Sequence, residues 1–145
     1  PIEYEIDIEA KYAKSEKTES VIVSIYQYTG GANGNSSYHV ITVSEGRLLT
    51  LSKLIRRDRQ EEFIKLVKKE LTNWRPEGSE ASVVFSEEVN NLQFASLLNW
   101  STDDKNLILY FDKYQIGPGV LGAVAFPISL NKIEAFLEPS FFANE

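Results

Sequence analysis

Apolar and acidic residues alternate at the start of the chain. Eight positions take part, in the order Ile2, Glu3, Tyr4, Glu5, Ile6, Asp7, Ile8 and Glu9. A period of two is typical of a strand with one buried and one solvent-exposed face. We therefore predict a strand whose apolar side chains face the core and whose carboxylates form a solvated face. Residues 21–28, rich in β-branched and aromatic side chains, predict a second strand antiparallel to the first.

The apolar spacing changes to three and four between residues 59 and 74. The apolar side chains of this stretch are Phe63, Leu66, Val67, Leu71 and Trp74. This spacing predicts one amphipathic helix, which Pro76 and Gly78 end. A last short helix is predicted over residues 130–137, again with its apolar side chains towards the core.

The other apolar runs are short and predict strands. They cover residues 38–43, 48–51, 82–85, 94–100, 107–111 and 123–128. Strands outnumber helices and most connections are of hairpin length, so the expected class is α+β. We predict one domain over residues 1–145, a mostly antiparallel sheet with the main helix packed across it. Pro127 indicates a sheet edge or a strand end.

Two glycine-rich segments interrupt the strands. Residues 29–37 form a small, polar loop with three glycines, and residues 117–122 form a glycine-proline corner between the last two strands. Glycine permits positive φ angles and close approach of the backbone to another group. The loop lacks the Lys-Ser/Thr that closes a phosphate-binding loop and leads into a strand, so phosphate binding is not favoured.

The charge of the chain narrows the classes of partner that it is expected to bind. The net charge is −6, which argues against nucleic acid as a partner because phosphate contacts need clustered basic residues. The charge is uneven, since residues 53–75 carry eight basic and four acidic residues on one predicted helical segment. Basic residues on the outer face of an amphipathic helix are commonly solvated.

The sequence offers no recognisable catalytic or metal-binding set. Cys is absent, and His39 is the single histidine, placed within a predicted strand. A Ser/His/Asp triad or a zinc site would both need His39, without a nucleophile elbow or a second strong ligand. We therefore predict no catalytic residue, no metal and no cofactor. Carboxylate pairs suited to glycoside hydrolysis stay open, because no spacing singles one out.

Three stretches, in this order, resemble a known family. They are residues 28–34, residues 46–51 leading into a helix, and residues 107–118 with Gly122. Together they resemble the domain-of-unknown-function family found in the extracytoplasmic part of the anti-sigma factor RsiV and beside peptidoglycan deacetylase domains. The glycine loop of that family usually reads Gly-Gly-Ala-His-Gly, and Asn33 stands here where the histidine would be.

The resemblance implies a bacterial, extracytoplasmic binding or sensing domain without catalytic residues. In RsiV the ligand is lysozyme, so a lysozyme-like protein or a cell-wall glycan is the implied partner. The chain opens at Pro1 and contains no Met. A processed chain is therefore expected, and the resemblance implies an anchor N-terminal to Pro1 as the only link to the membrane. The alternative implied by the family's neighbours is a peptidoglycan-processing hydrolase or an accessory domain of one.

The candidate binding surface consists of the glycine loop with its tyrosines and the glycine-proline corner. Tyrosine suits protein and sugar contacts because it joins an apolar ring to a polar tip. Packing of these tyrosines on the helix is the open alternative. The predicted site residues are Tyr28, Gly30, Gly31, Asn33, Gly34, Tyr38, Tyr114, Gly117 and Pro118.

Overall fold

The computed structural model describes residues 3–141, and this part of the chain folds as an α+β protein, as the sequence predicts. No helix within these residues is both long and apolar enough to cross a bilayer. The strands and α-helices, in chain order, are β1 (Glu5–Lys14), β2 (Glu19–Tyr28), β3 (Asn35–Ser44), β4 (Arg47–Leu48), α1 (Leu51–Leu54), α2 (Gln60–Asn73), α3 (Ser86–Asn90), β5 (Trp100–Thr102), β6 (Asn106–Phe111), β7 (Val124–Ser129) and α4 (Leu130–Ile133).

The strands form two antiparallel sheets. The first sheet has the order β1-β2-β3-β4, and the second has the order β5-β6-β7. All pairs are sequential, so hairpins make both sheets. The sequence predicts a single sheet, whereas the helical segment between β4 and β5 separates the strands into two. Pro127 lies in β7, an edge strand, as expected for a residue without an N–H donor.

The apolar core belongs to the second sheet and the helices. Every member of the buried apolar cluster lies between Leu51 and Leu137. The main helix α2 buries Phe63, and its C-terminal neighbour Trp74 stands edge-on against Phe126 of β7 at 5.5 Å between ring centroids. Such aromatic pairs add about 0.5–1.5 kcal/mol beyond the burial of their area. The predicted helix, its apolar face and the short C-terminal helix are confirmed.

Buried hydroxyl groups form one of the contacts between the first sheet and the core. The Thr42 hydroxyl donates to the carbonyl oxygen of Trp100 at 2.7 Å. Because the single hydroxyl hydrogen of Thr42 is used in that bond, the Ser20 hydroxyl, 2.8 Å from the Thr42 oxygen, is the donor of the second bond. Thr18 and Thr102 join their hydroxyls at 2.8 Å nearby. All of these residues are buried, and Trp100 takes part through its backbone carbonyl. The two sheets must therefore meet in an orientation that keeps these hydrogen bonds, because each buried polar group needs its partner.

The predicted buried face of β1 is wrong. Ile6 and Ile8 are 63% and 62% exposed, although the strand itself forms at Glu5–Lys14. Alternation of apolar and acidic residues shows that the two faces of the strand differ, but it does not show that either face packs against a core. Here β1 is the edge of a sheet whose inner face packs through β2 and β3, so both of its faces meet solvent. Ile2 lies outside the described residues.

Three other predicted strands also differ from the structure. Residues 82–85 form no strand, because they pack beside the corner and make a single backbone bond there, from Phe85 N to Ile116 O. In the predicted strand over residues 94–100, Phe94 instead begins a 3₁₀ turn that places its ring 5.9 Å from Phe63. The strand over residues 48–51 ends at Leu48, and Leu51 begins α1. Local contacts with the core override the strand propensity in these segments.

Candidate functional site

Lys113 connects the two glycine-rich segments. Its ammonium donates to the carbonyl oxygen of Gly34 at 2.6 Å, and its backbone N–H donates to the carbonyl oxygen of Ser36 at 2.9 Å. The side chain is only half-buried, so the ammonium keeps part of its hydration. These two bonds hold the start of β3 against the end of β6. The loop and the corner, predicted as separate candidate surfaces, are therefore one assembly.

Gly34 leaves room for the ring of Tyr26. A Cβ atom added at Gly34 would stand 2.4 Å from the Tyr26 ring, far inside contact distance. The ring therefore lies over the glycine backbone, and this close approach explains why position 34 carries no side chain. Tyr26 remains 38% exposed, so one side of its ring is available to a partner.

Tyr38 is held from two sides. Its backbone N–H donates to the Asp112 carboxylate at 2.8 Å. Its ring stands edge-on to Tyr110 at 4.9 Å between centroids. The Tyr110 hydroxyl in turn lies 2.9 Å from the Ser101 hydroxyl. Burial raises the pKa of Tyr110, and the bond with Ser101 opposes this only in part. Tyr38 is thus a rigid, half-buried side chain on a buried support.

A groove opens between the first sheet and the corner. Its volume is about 260 Å³. Two cross-strand rows of the sheet form its floor: Asp7, Tyr26 and Ser36 lie side by side in one row, and Glu9, Ser24 and Tyr38 in the next. Cross-strand neighbours share a face, so carboxylates, hydroxyls and rings point the same way. The lining residues are Asp7, Glu9, Ser24, Ile25, Tyr26, Ser36, Ser37, Tyr38 and Ala123.

The chemistry of the groove is acidic and aromatic. Among residues 3–141, its lining carries two carboxylates and no Lys or Arg, and one of these carboxylates, Glu9, lies 3.7 Å from the ammonium of Lys11 on the same face of β1. Carboxylates accept paired hydrogen bonds from guanidinium groups, and tyrosine rings attract cations over their faces. Serine hydroxyls complete a surface that also offers hydrogen bonds to neutral polar groups. The arrangement suits binding of a cationic group.

The corner positions Tyr114 beside the groove but not in it. Tyr114 has a φ of 70°, a left-handed conformation that is uncommon for a tyrosine. The Lys113 ammonium lies 5.1 Å from the centre of its ring, and a Cβ at Gly119 would stand 2.6 Å from its hydroxyl. Gly117 is buried, with Val83 and Leu121 too close for a side chain there. Pro118 is half-buried after it.

The tip of the glycine loop is stabilised from within. The Tyr28 hydroxyl donates to the carbonyl oxygen of Gly31 at 2.9 Å. Gly30 and Gly31 have φ values of 84° and 132°, which favour glycine. Asn33 is exposed on this tip. The tip residues line neither this groove nor the larger cavity described below.

The structure thus brings together part of the predicted site. Gly34 and Tyr114 both contact Lys113, and Tyr38 is bound through its backbone to the adjacent Asp112. Gly117 supports the corner from inside. Sequence reasoning left Asp7 and Glu9 as members of a solvated face. The hairpin register was the missing signal, because it places these carboxylates in the same rows as Tyr26 and Tyr38.

The other charged surfaces are less suited to a ligand. A larger cavity of about 540 Å³ lies at the opposite end of the first hairpin, with acidic and basic residues intermixed, such as Lys14 and Glu19 at 3.7 Å. On the basic helix segment, Arg59 stacks on the ring of Phe136 at 4.9 Å. Lys68 of the same helix donates to the carbonyl oxygen of Asn90 at 2.7 Å. Within residues 3–141, no group of three acidic or histidine side chains is arranged to hold a metal ion.

Comparison with known proteins adds a family and a fold. Residues 52–131 match a family described as "Protein of unknown function (DUF3298)". The match includes the corner and leaves out the glycine loop. No curated protein matches the chain.

Two crystal structures share the fold. A member of the DUF3298 family from Bacteroides fragilis superposes with a TM-score of 0.70 at 21% identity, and the match covers 96% of this chain and 57% of that protein. A DUF3298 family protein from Pseudomonas aeruginosa superposes with a TM-score of 0.68 at 14% identity, covering 95% of this chain and 64% of that one. The chain therefore spans less than two thirds of either relative.

Proposed function

The chain belongs to the DUF3298 family, whose function is unknown, and we propose that it is a non-enzymatic binding or sensing module of the bacterial cell envelope. The acidic, tyrosine-lined groove carries this proposal. The resemblance of the loop and the corner to the extracytoplasmic domain of RsiV supplies the envelope setting. An extracytoplasmic location, with a membrane anchor preceding this domain, is part of the proposal.

The partner that fits the groove is a basic protein segment of a lysozyme-like protein. Asp7 and Glu9 stand two residues apart on one strand and point to the same side of the groove. A Lys or Arg side chain inserted between the rings of Tyr26 and Tyr38 would lie on the same face of the sheet as both carboxylates. The site is half-open, so such contacts give moderate affinity that falls with salt.

Hydrolysis of the wall is the alternative function, and the groove does not favour it. Glycosidases place two carboxyl groups on either side of the scissile bond, one as the acid and one as the nucleophile or base. Asp7 and Glu9 instead lie side by side on β1. The facing wall of the groove is Ala123, which offers no proton donor. The arrangement of these carboxylates therefore supports binding over hydrolysis.

Calorimetric titration tests the proposal. The wild-type chain and the double variant Asp7→Asn/Glu9→Gln are titrated with native lysozyme, with lysozyme whose lysines are acetylated, and with soluble peptidoglycan fragments. Binding of native lysozyme is expected to weaken at least about tenfold in the variant and after acetylation, because both remove charge pairs. The matched control is Glu87→Gln/Glu88→Gln, which changes net charge equally on the exposed part of α3.

Three outcomes would overturn the proposal. Lysozyme fails to bind the folded wild-type chain, the control weakens binding as much as the groove variant does, or the chain binds only the peptidoglycan fragments. Release of sugars or peptides from those fragments would overturn its non-enzymatic part. Fractionation of cells that express the full-length gene product tests the location.

A further inference from the structure

The outer face of the first sheet is apolar and exposed. It consists of Ile6, Ile8, Ala10 and Tyr12 of β1 with Val21, Ile41 and Leu48 on the neighbouring strands. Ile6, Ile8, Tyr12 and Ile41 are each at least 60% exposed. The opposite face carries the groove and the hydroxyl interface, so the sheet turns its apolar side away from its own core. Contiguous apolar surface of this kind marks an interaction site.

The edge of this sheet is equally open. β1 is the first strand in the order β1-β2-β3-β4, so one side of its backbone has no strand beside it among the described residues. It is ten residues long and contains no proline. Long, unprotected edge strands with an apolar face pair with another strand, since half of their backbone donors and acceptors are free to do so.

The charges of β1 define which strand fits. Its first half is acidic, with Glu5, Asp7 and Glu9, and its second half is basic, with Lys11 and Lys14. Because the acidic residues come first and the basic residues second, β1 can place opposite charges against a second β1 only when the two strands run antiparallel. Parallel pairing in register would place each charge next to its own kind, which is destabilising.

The register follows from the same charges. Pairing centred on Ala10 places Glu9 of each copy opposite Lys11 of the other, and Ile8 opposite Tyr12 on the apolar side. Centring the pair on Glu9 or on Lys11 would oppose two like charges at the two-fold axis. Glu9 and Lys11 already lie 3.7 Å apart within one chain, so the Ala10 register makes an alternating cluster of four charges.

We propose that β1 pairs antiparallel with β1 of a second copy, in the register centred on Ala10, to form an eight-stranded sheet. The interface is isologous, as most homodimer interfaces are. It places the outer apolar faces of the two copies side by side as one continuous surface. The proposal concerns self-association, and it shares one side chain with the groove, because Glu9 lines the groove and also faces Lys11 of the second copy. Asp7→Asn alone, which leaves the Glu9 and Lys11 pairs intact, separates loss of the ligand from loss of the dimer.

A single cysteine tests the register directly. The chain has no Cys, so a disulfide in Ala10→Cys is necessarily between copies. Directly opposed residues of an antiparallel pair have Cβ atoms about 4.5–5.5 Å apart, within reach of a disulfide after small adjustment or of a short bismaleimide. The control Ile41→Cys lies on the same face of β3, two strands from the edge. Its copies would be about 24 Å apart, at about 4.8 Å per strand.

Ala10→Cys is expected to form covalent dimers readily, and Ile41→Cys to form few. Equal cross-linking of the two variants, or no cross-linking of Ala10→Cys with the fold intact by circular dichroism, would overturn the register.

Charge reversal tests the pairing without any cross-link. Glu9→Lys and Lys11→Glu each oppose like charges twice across the axis, so each variant alone is expected to self-associate about tenfold more weakly at low salt. A mixture of the two single variants restores opposite charges at every pair and is expected to form heterodimers. Analytical ultracentrifugation of the 145-residue chain measures both effects. A wild-type chain that stays monomeric, or single variants that associate as the wild type does, would contradict the proposal.

Discussion

The ammonium of Lys113 lies 2.6 Å from the carbonyl oxygen of Gly34, although 79 positions separate the two residues in the chain. This bond joins the family's corner to the loop that precedes β3. It also anchors the start of β3, whose residues Ser36 and Tyr38 form part of the groove floor two and four positions after Gly34. The position of the loop therefore depends on a side chain in the other sheet.

Replacing Lys113 with Met is expected to loosen this connection. The variant keeps the backbone bond from Lys113 N to Ser36 O and loses the charge-assisted bond to Gly34. We expect a loss of about 1–2 kcal/mol in the free energy of unfolding, measured by urea denaturation. Limited proteolysis is expected to cut the loop around residue 32 sooner. Lys105→Met, in an exposed turn, is the control. Equal stability of both variants would show that the bond is incidental.

Gly34→Ala is expected to displace the ring of Tyr26, because the added Cβ would occupy its place. The ring is partly exposed and free to swing outwards, so the change in stability should stay within about 1 kcal/mol. Binding of lysozyme is expected to weaken several-fold, as measured by calorimetry. The matched variant Gly119→Ala displaces Tyr114, which does not line the groove. A weaker complex with Gly119→Ala, and an unchanged one with Gly34→Ala, would refute the assignment of the groove.

Thr42→Val tests the hydroxyl interface between the two sheets. The side chain is 2% exposed, and its loss leaves the carbonyl oxygen of Trp100 and the hydroxyl of Ser20 without their partner. An unsatisfied buried group costs about 1–3 kcal/mol, so the variant should lose that much stability in urea denaturation. Thr50→Val changes an exposed hydroxyl by the same chemistry and is expected to stay within about 0.5 kcal/mol. Similar losses for both would mean that buried hydroxyls do not hold the sheets together.

The turn between β5 and β6 gives the protein an acid-sensitive element. Burial tends to raise the pKa of Asp103, but the backbone N–H groups of Lys105 and Asn106 donate to its carboxylate at 2.8 and 2.6 Å and lower the pKa overall. Because the folded-state pKa lies below the unfolded one, the ionised carboxylate stabilises the fold above about pH 4. That contribution is lost as the pH falls through the folded-state pKa.

Asp103→Asn should isolate this effect, since it keeps an acceptor oxygen and removes the titration. Wild type is expected to be the more stable of the two at pH 7, with the difference shrinking towards about pH 2.5 in urea denaturation. Asp104→Asn removes the same charge without changing the acceptor in the turn and serves as the control. A wild-type advantage that stays constant over this range would contradict the assignment.

The sequence was sufficient for elements that bury one apolar face. Period 3.6 in α2 and the apolar alternation of β7 predict their structures because the core covers one face of each. The same reasoning fails for β1, where alternation predicts a buried face and the edge position leaves Ile6 and Ile8 exposed. Which sheet meets the core is a matter of long-range packing, and the pattern of one strand does not contain it.

The candidate site shows the same limit. The tyrosines and glycines of the loop could be predicted from residue type alone, since tyrosine suits binding contacts and glycine suits tight turns. Asp7 and Glu9 could not, because a carboxylate on an alternating strand is usually solvated. Only the pairing of β1 with β2 and of β2 with β3 places them beside Tyr26 and Tyr38.

A residue-resolved NMR titration of the ¹⁵N-labelled chain with native lysozyme tests most directly whether the groove is the binding site. Amide shifts are expected to concentrate on residues 7–9, 24–26 and 36–38 and at Ala123, whereas the exposed basic face of α2 is expected to stay unperturbed. Shifts centred on α2 would contradict binding in the groove. So would the absence of shifts at a lysozyme concentration high enough to saturate a complex with a millimolar Kd.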